Sequence, residues 1–104
     1  MTEFNADSFN ETISQDIPTV VDFWATWCMP CKIFAPVMEE ISDDMDGKAH
    51  FGKVDVDEER DLAMQYDIVS IPTLVIFKGG EEKERLVGVR KKDEVVEAIE
   101  KYLD

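Results

Sequence analysis

Apolar residues recur along the chain with two different periods, and the switches between them mark the elements. Thr2 to Phe4 reads as a short edge strand. Phe9 and Ile13, four apart, share one face of a helix that Asp7 can cap, with Pro18 beyond its end. Thr19–Trp24 is too continuously apolar for a half-exposed strand and predicts a central one covered on both faces. From Cys28 to about Met45, the residues Phe34, Val37, Met38, Ile41 and Met45 return at helical spacing, and Gly47 follows as a stop. Pro36 falls inside this helix and should kink it. Ala49 to Val56 predicts another strand. Asp57 can cap a helix whose apolar face is Leu62, Ala63 and Tyr66. Thr73–Lys78 and Lys83–Val87 flank Gly79-Gly80 as a hairpin, and Val95, Val96, Ile99, Tyr102 and Leu103 give a closing amphipathic helix. The order β-α-β-α-β-α-β-β-α predicts an α/β fold: a mixed central β-sheet with helices on both faces.

Composition narrows the function classes. The 104 residues predict one domain over 1–104, large enough to bury a core without cross-links. A formal charge of −13, from 24 acidic against 11 basic side chains, argues against nucleic-acid phosphate as a partner. It favours solubility and salt-dependent steering towards basic patches, although a merely solvated surface explains it as well. The start, Met1-Thr2-Glu3-Phe4-Asn5, has neither the basic region nor the apolar run of a signal peptide. No stretch approaches membrane-spanning length. A monomer is expected and, if this is the full length of the chain, a reducing, cytoplasmic setting. There an isolated Cys-x-x-Cys is more often catalytic than structural.

That motif is Trp27-Cys28-Met29-Pro30-Cys31, and it holds both cysteines of the chain. Two cysteines three apart lie one helical turn apart, near enough to form a disulfide. Cys28 would sit at the helix start, where unpaired N–H groups and the dipole favour a thiolate. A structural staple is the bland alternative, but a four-residue ring gives only about 2 kcal/mol in the loop-entropy estimate, before strain. Structural zinc wants four ligands, and beyond the two thiols the chain offers only His50. Asp55, Asp57 and Glu59 alternate like a calcium loop, but Arg60 stands where that loop needs glycine and Tyr66 where it needs glutamate. The residues call for a reactive dithiol, with no metal and no cofactor.

With motif, order and length together, the chain resembles the thioredoxin family from end to end. The matching pieces are Val21-Asp22-Phe23-Trp24-Ala25, Trp27-Cys28-Met29-Pro30-Cys31-Lys32, Ala35-Pro36, Lys53-Val54-Asp55, Ile71-Pro72-Thr73-Leu74, Phe77-Lys78-Gly79-Gly80 and Val87-Gly88. One residue departs: Met29 stands where the family usually has glycine. The resemblance implies a thioredoxin fold and a protein-disulfide reductase. Cys28 would be the exposed nucleophile and Cys31 the deeper, resolving thiol. Asp22, an acid inside an apolar strand, would take the Cys31 proton, with Lys53 keeping it partly ionised; a locally hydrogen-bonded strand-end aspartate is the alternative. Pro72 would be a cis-proline beside the dithiol. Trp27, Met29, Val69, Ile71, Gly88 and Val89 would form an apolar rim for substrate, while Trp24 belongs to the core. Implied partners are a thioredoxin reductase and disulfide-containing client proteins. An oxidase or isomerase fits less well, because such relatives usually place histidine before the second cysteine. Glutathione-using relatives lack the Trp-Cys-x-Pro-Cys context. A non-catalytic partner subunit with idle thiols is the rival from another class.

Overall fold

The apolar run Thr19–Trp24 lies in the middle of the molecule, hydrogen-bonded on both edges. In a computed structural model, which describes residues 1–103, the elements are β1 (Thr2–Glu3), α1 (Ala6–Ile13), β2 (Thr19–Trp24), α2 (Met29–Asp44), β3 (His50–Asp55), α3 (Arg60–Gln65), β4 (Thr73–Lys78), β5 (Glu81–Val87) and α4 (Lys92–Glu100). The sheet order is β1-β3-β2-β4-β5. β1 and β2 run parallel to β3, and β4 runs antiparallel to β2 and β5. The sheet is mixed, as the element order predicts.

Side-chain alternation divides the core between the two faces. Val20, Leu74 and Ile76 pack with Phe34, Met38 and Ile41 of α2 and Val95, Ala98 and Ile99 of α4. Val21, Phe23, Val75 and Phe77 pack with Phe9 and Ile13 of α1 and Leu62 of α3. Phe9, Phe23, Phe34 and Phe77 are at most 1% exposed, each contributing about 1.5–3 kcal/mol relative to leaving it in water. Phe4 crosses Gly52 with its ring where a Cβ would stand, so β1 docks close against β3. By the same alternation, Asp22 falls on the Val20 face, towards α2. Lys53 is its register partner on β3.

Three local readings need correction. Asn5, not Asp7, caps α1: its Oδ1 accepts from Ser8 N at 2.9 Å, and Ser8 Oγ accepts from Asn5 N at 3.0 Å. Asp7 lies inside the first turn, where its charge complements the dipole. Asp57 does not cap α3, which begins at Arg60 after Glu59 with no side-chain cap. β5 starts at Glu81 rather than Lys83, because Gly79 and Gly80 (φ 61° and 83°) make a two-residue turn that pairs Lys78 with Glu81 at once. α2 continues through Pro36 and ends before Gly47, whose φ of 83° suits a left-handed stop.

Candidate active site

The site forms where β2 ends and α2 begins. Cys28 is the N-cap of α2, with extended backbone, and its Sγ accepts from Cys31 N at 3.2 Å. Pro30, within the first turn, costs no hydrogen bond there. Cys28 and Cys31 are joined as a disulfide with Cα atoms 5.3 Å apart. The Cys31 N–H of the first turn thus points at the Cys28 sulfur. Once the bond opens, this N–H and the helix dipole favour its thiolate.

Exposure does not separate the two sulfurs. Cys28 was expected at the surface, yet it is 4% exposed against 2% for Cys31. Both pack with Ala25 in a small apolar cluster, against Trp24, Val56 and Ile71. Trp24 is half-buried in this cluster, with its Nε1 buried and without a hydrogen-bond partner among the described residues. What distinguishes Cys28 is its place at the cap.

Asp22 is 4% exposed, and its Oδ1 has no hydrogen-bond partner among the described residues. Burial pushes its carboxyl from the ordinary 3.8 up to about 7, and the Lys53 ammonium pulls against that rise. Among the described residues no ion pair joins the two. The Lys53 Nζ sits 4.6 Å from the centroid of the Trp24 ring, so it acts on Asp22 through space. A carboxyl held near 7 gains and loses a proton at neutral pH, as a general base must.

The Ile71–Pro72 bond is cis, and Ile71 O lies 3.8 Å from Cys28 Sγ. Gly88 N donates to Pro72 O at 2.8 Å, bringing the end of β5 beside the proline. Gly88 has φ 88°, which glycine adopts without strain. Around this centre the structure leaves large apolar side chains in water: Trp27 (67% exposed), Met29 (63%), Val69 (93%) and Val89 (46%). Ile71 and Gly88 are half-buried. Two further exposed apolar residues were missed from sequence. Ile33, 62% exposed, stands one turn after Met29 on α2, and that i, i+4 spacing was the available signal. Val87 is 48% exposed just before Gly88. A third omission is Asp57, whose Oδ2 accepts from Trp27 Nε1 at 2.7 Å.

Comparison with known proteins agrees with this geometry. A family model described as Thioredoxin matches residues 1–101. The thioredoxin of Staphylococcus saprophyticus is 48% identical over 96 residues, covering 92% of this chain and 91% of the relative. That of Staphylococcus epidermidis is 51% identical over 84 residues, 81% of each chain. Among solved structures, a mutant thioredoxin from Halobacterium salinarum superposes with a TM-score of 0.90 at 33% identity, covering 100% of this chain and 90% of its own. The thioredoxin of Malassezia sympodialis gives 0.88 at 38% identity, with coverage of 100% and 89%.

Proposed function

As a member of the thioredoxin family, the chain is a thiol–disulfide oxidoreductase that reduces protein disulfides, and we propose that Cys28 attacks and Cys31 resolves. The observation that carries these roles is the N-cap position of Cys28, whose sulfur alone accepts a first-turn N–H. The Cys28 thiolate attacks one sulfur of the client disulfide; the other sulfur leaves and takes up a proton. Asp22 then accepts the Cys31 proton, and the new thiolate attacks Cys28 Sγ. The Cys28–Cys31 disulfide forms as the second client thiol departs, so two electrons pass to the client. Lys53 limits how far burial raises the Asp22 pKa, which keeps the carboxylate available at neutral pH.

Substrate docks, in this proposal, on Trp27, Met29, Val69, Ile71, Gly88 and Val89, with Ile33 and Val87 extending the rim. An extended client segment pairs with the Ile71 backbone beside Pro72 and Cys28, in the manner of strand addition. A thioredoxin reductase returns the disulfide to the dithiol. No helix among the described residues is long and apolar enough to cross a membrane. We assign the protein to the reducing cytoplasm, where the pair can cycle. Insulin reduction driven by dithiothreitol tests the roles: Cys28→Ser should be inert, and Cys31→Ser should accumulate a mixed disulfide with the client. Trapping through Cys31 in a Cys28→Ser background would reverse the assignment.

A further inference from the structure

The chain has five methionines, and their surroundings differ sharply. Met38 is 0% exposed and Met45 6%, both in the core beneath α2. Met1 is half-buried against that same core. Met29 and Met64 are 63% and 75% exposed. Only Met29 of these two adjoins a sulfur of the active disulfide, as the first residue of α2 between Cys28 and Pro30. Met64 lies on α3, outside the rim.

We propose that Met29 is an oxidation site through which peroxide reversibly weakens the docking of protein clients, leaving the dithiol chemistry intact. The inference rests on the docking role proposed above for Met29. The thioether sulfur attacks one oxygen of hydrogen peroxide. The O–O bond breaks as the S–O bond forms, sulfur gives up two electrons, and the second oxygen leaves as water with the displaced proton. The product is methionine sulfoxide. Two thiols supply the electrons for the reverse reaction, as in a methionine sulfoxide reductase, leaving thioether, disulfide and water.

The rim gives this small change its leverage. A thioether is soft and apolar and repacks against varied partners. A sulfoxide carries a strong acceptor oxygen that an apolar client surface desolvates without replacing its hydrogen bond, which lowers client affinity by about tenfold. While Cys28 and Cys31 are bonded, neither is a thiol open to the sulfenic acid route, so peroxide meets Met29 first at this surface. The oxidised form thus registers peroxide on a residue that takes no part in electron transfer.

The test uses the full chain, treated with hydrogen peroxide in its disulfide form, freed of peroxide and then assayed. Peptide mass spectrometry should place one added oxygen on Met29 well before Met38 or Met45. Insulin reduction should then lose about tenfold in kcat/KM, carried by KM. Reduction of hydroxyethyl disulfide, too small to span the rim, should change less than twofold. Met29→Leu, compared with its own untreated sample, should resist the treatment, and Met64→Leu should not. Equal losses in wild type and Met29→Leu, equal losses for the two substrates, or quantitative Met29 oxidation without a KM effect would each overturn the proposal. Met29→Gln, which places a polar side chain there without oxidant, separates the two readings. If it raises the insulin KM while peroxide does not, oxidation control fails and docking stands. If it leaves the insulin KM unchanged, the docking role itself is wrong.

Discussion

Trp27 Nε1 donates to Asp57 Oδ2 at 2.7 Å, tying the residue before Cys28 to the loop after β3. The indole is two-thirds exposed, so packing alone does not hold it. Asp57 is in turn oriented by its own backbone, whose N–H donates to Asp55 Oδ1 at 2.9 Å. The carboxylate expected to start α3 instead holds the exposed Trp27 indole.

Removing that acceptor should therefore act through Trp27. Asp57→Ala is expected to lower kcat/KM for a protein disulfide about two- to fivefold, the range for an exposed charge-assisted bond. In a Trp27→Phe background the same substitution should have little effect. Additive losses in this double-mutant cycle would show that Asp57 acts on clients by charge and not by holding the indole.

Asp22 makes stability depend on pH. Its carboxyl titrates near 7 in the fold and near 3.8 when unfolded, so between these values the folded state binds the extra proton. Stability from this group is complete below about pH 4 and is lost as pH rises through 7. Asp22→Asn lacks this loss and should gain on wild type across that window, by about 4 kcal/mol at its upper end. Urea unfolding at pH 4, 6 and 8 measures it. The same variant should release client more slowly from the mixed disulfide, because Cys31 loses its proton acceptor. Parallel stability profiles with unchanged turnover would make Asp22 a bystander.

Reactivity of the reduced cysteines should follow the helix cap, since their exposure is nearly equal. Iodoacetamide should modify Cys28 roughly tenfold faster than Cys31 near pH 7, with the thiolate fraction setting the pH profile. Peptide mapping after short labelling gives both rates. Equal rates would deny the cap its effect.

Met29→Gly should alter partner kinetics more than redox poise. Methionine brings no charge to stabilise the Cys28 thiolate, and its advantage in helix propensity over glycine is below about 1 kcal/mol. The wild-type potential should lie within some tens of millivolts of about −270 mV, and the substitution should move it by less than about 30 mV. Rates with a reductase and with protein clients should change severalfold. A shift above roughly 60 mV with unchanged kinetics would make Met29 a determinant of potential.

The helices were foreseen from spacing near 3.6 and the central strands from continuous apolar runs, because these elements bury the core on both faces of the sheet. The errors fell where polar residues compete for one task. Asn5 and Asp7 both suit a cap, and only the Asn5–Ser8 exchange closes both backbone groups. The charged start of β5 carries no alternation to mark it, so the tight glycine turn decided its register. At the site, Cys28, Cys31 and Asp22 stood out as residue types uncommon in their local pattern, whereas Pro72 was marked only by the family resemblance of its flanking residues. Asp57 did not stand out, since its partner is 30 residues away and the chain has many acids.

The outer strand β5 has a consequence for life among damaged proteins. Its side chains include Glu81, Glu82, Lys83, Glu84 and Arg85, and a bulge interrupts its pairing with β4 between Ile76 and Phe77. At the other margin, β1 is only two residues long. Charged, irregular or very short edges discourage strand-to-strand growth. Proteins with opened disulfides expose sticky, extended segments, and a smooth sheet edge would recruit them into aggregates. This sheet can handle such chains repeatedly without becoming the seed on which they stack.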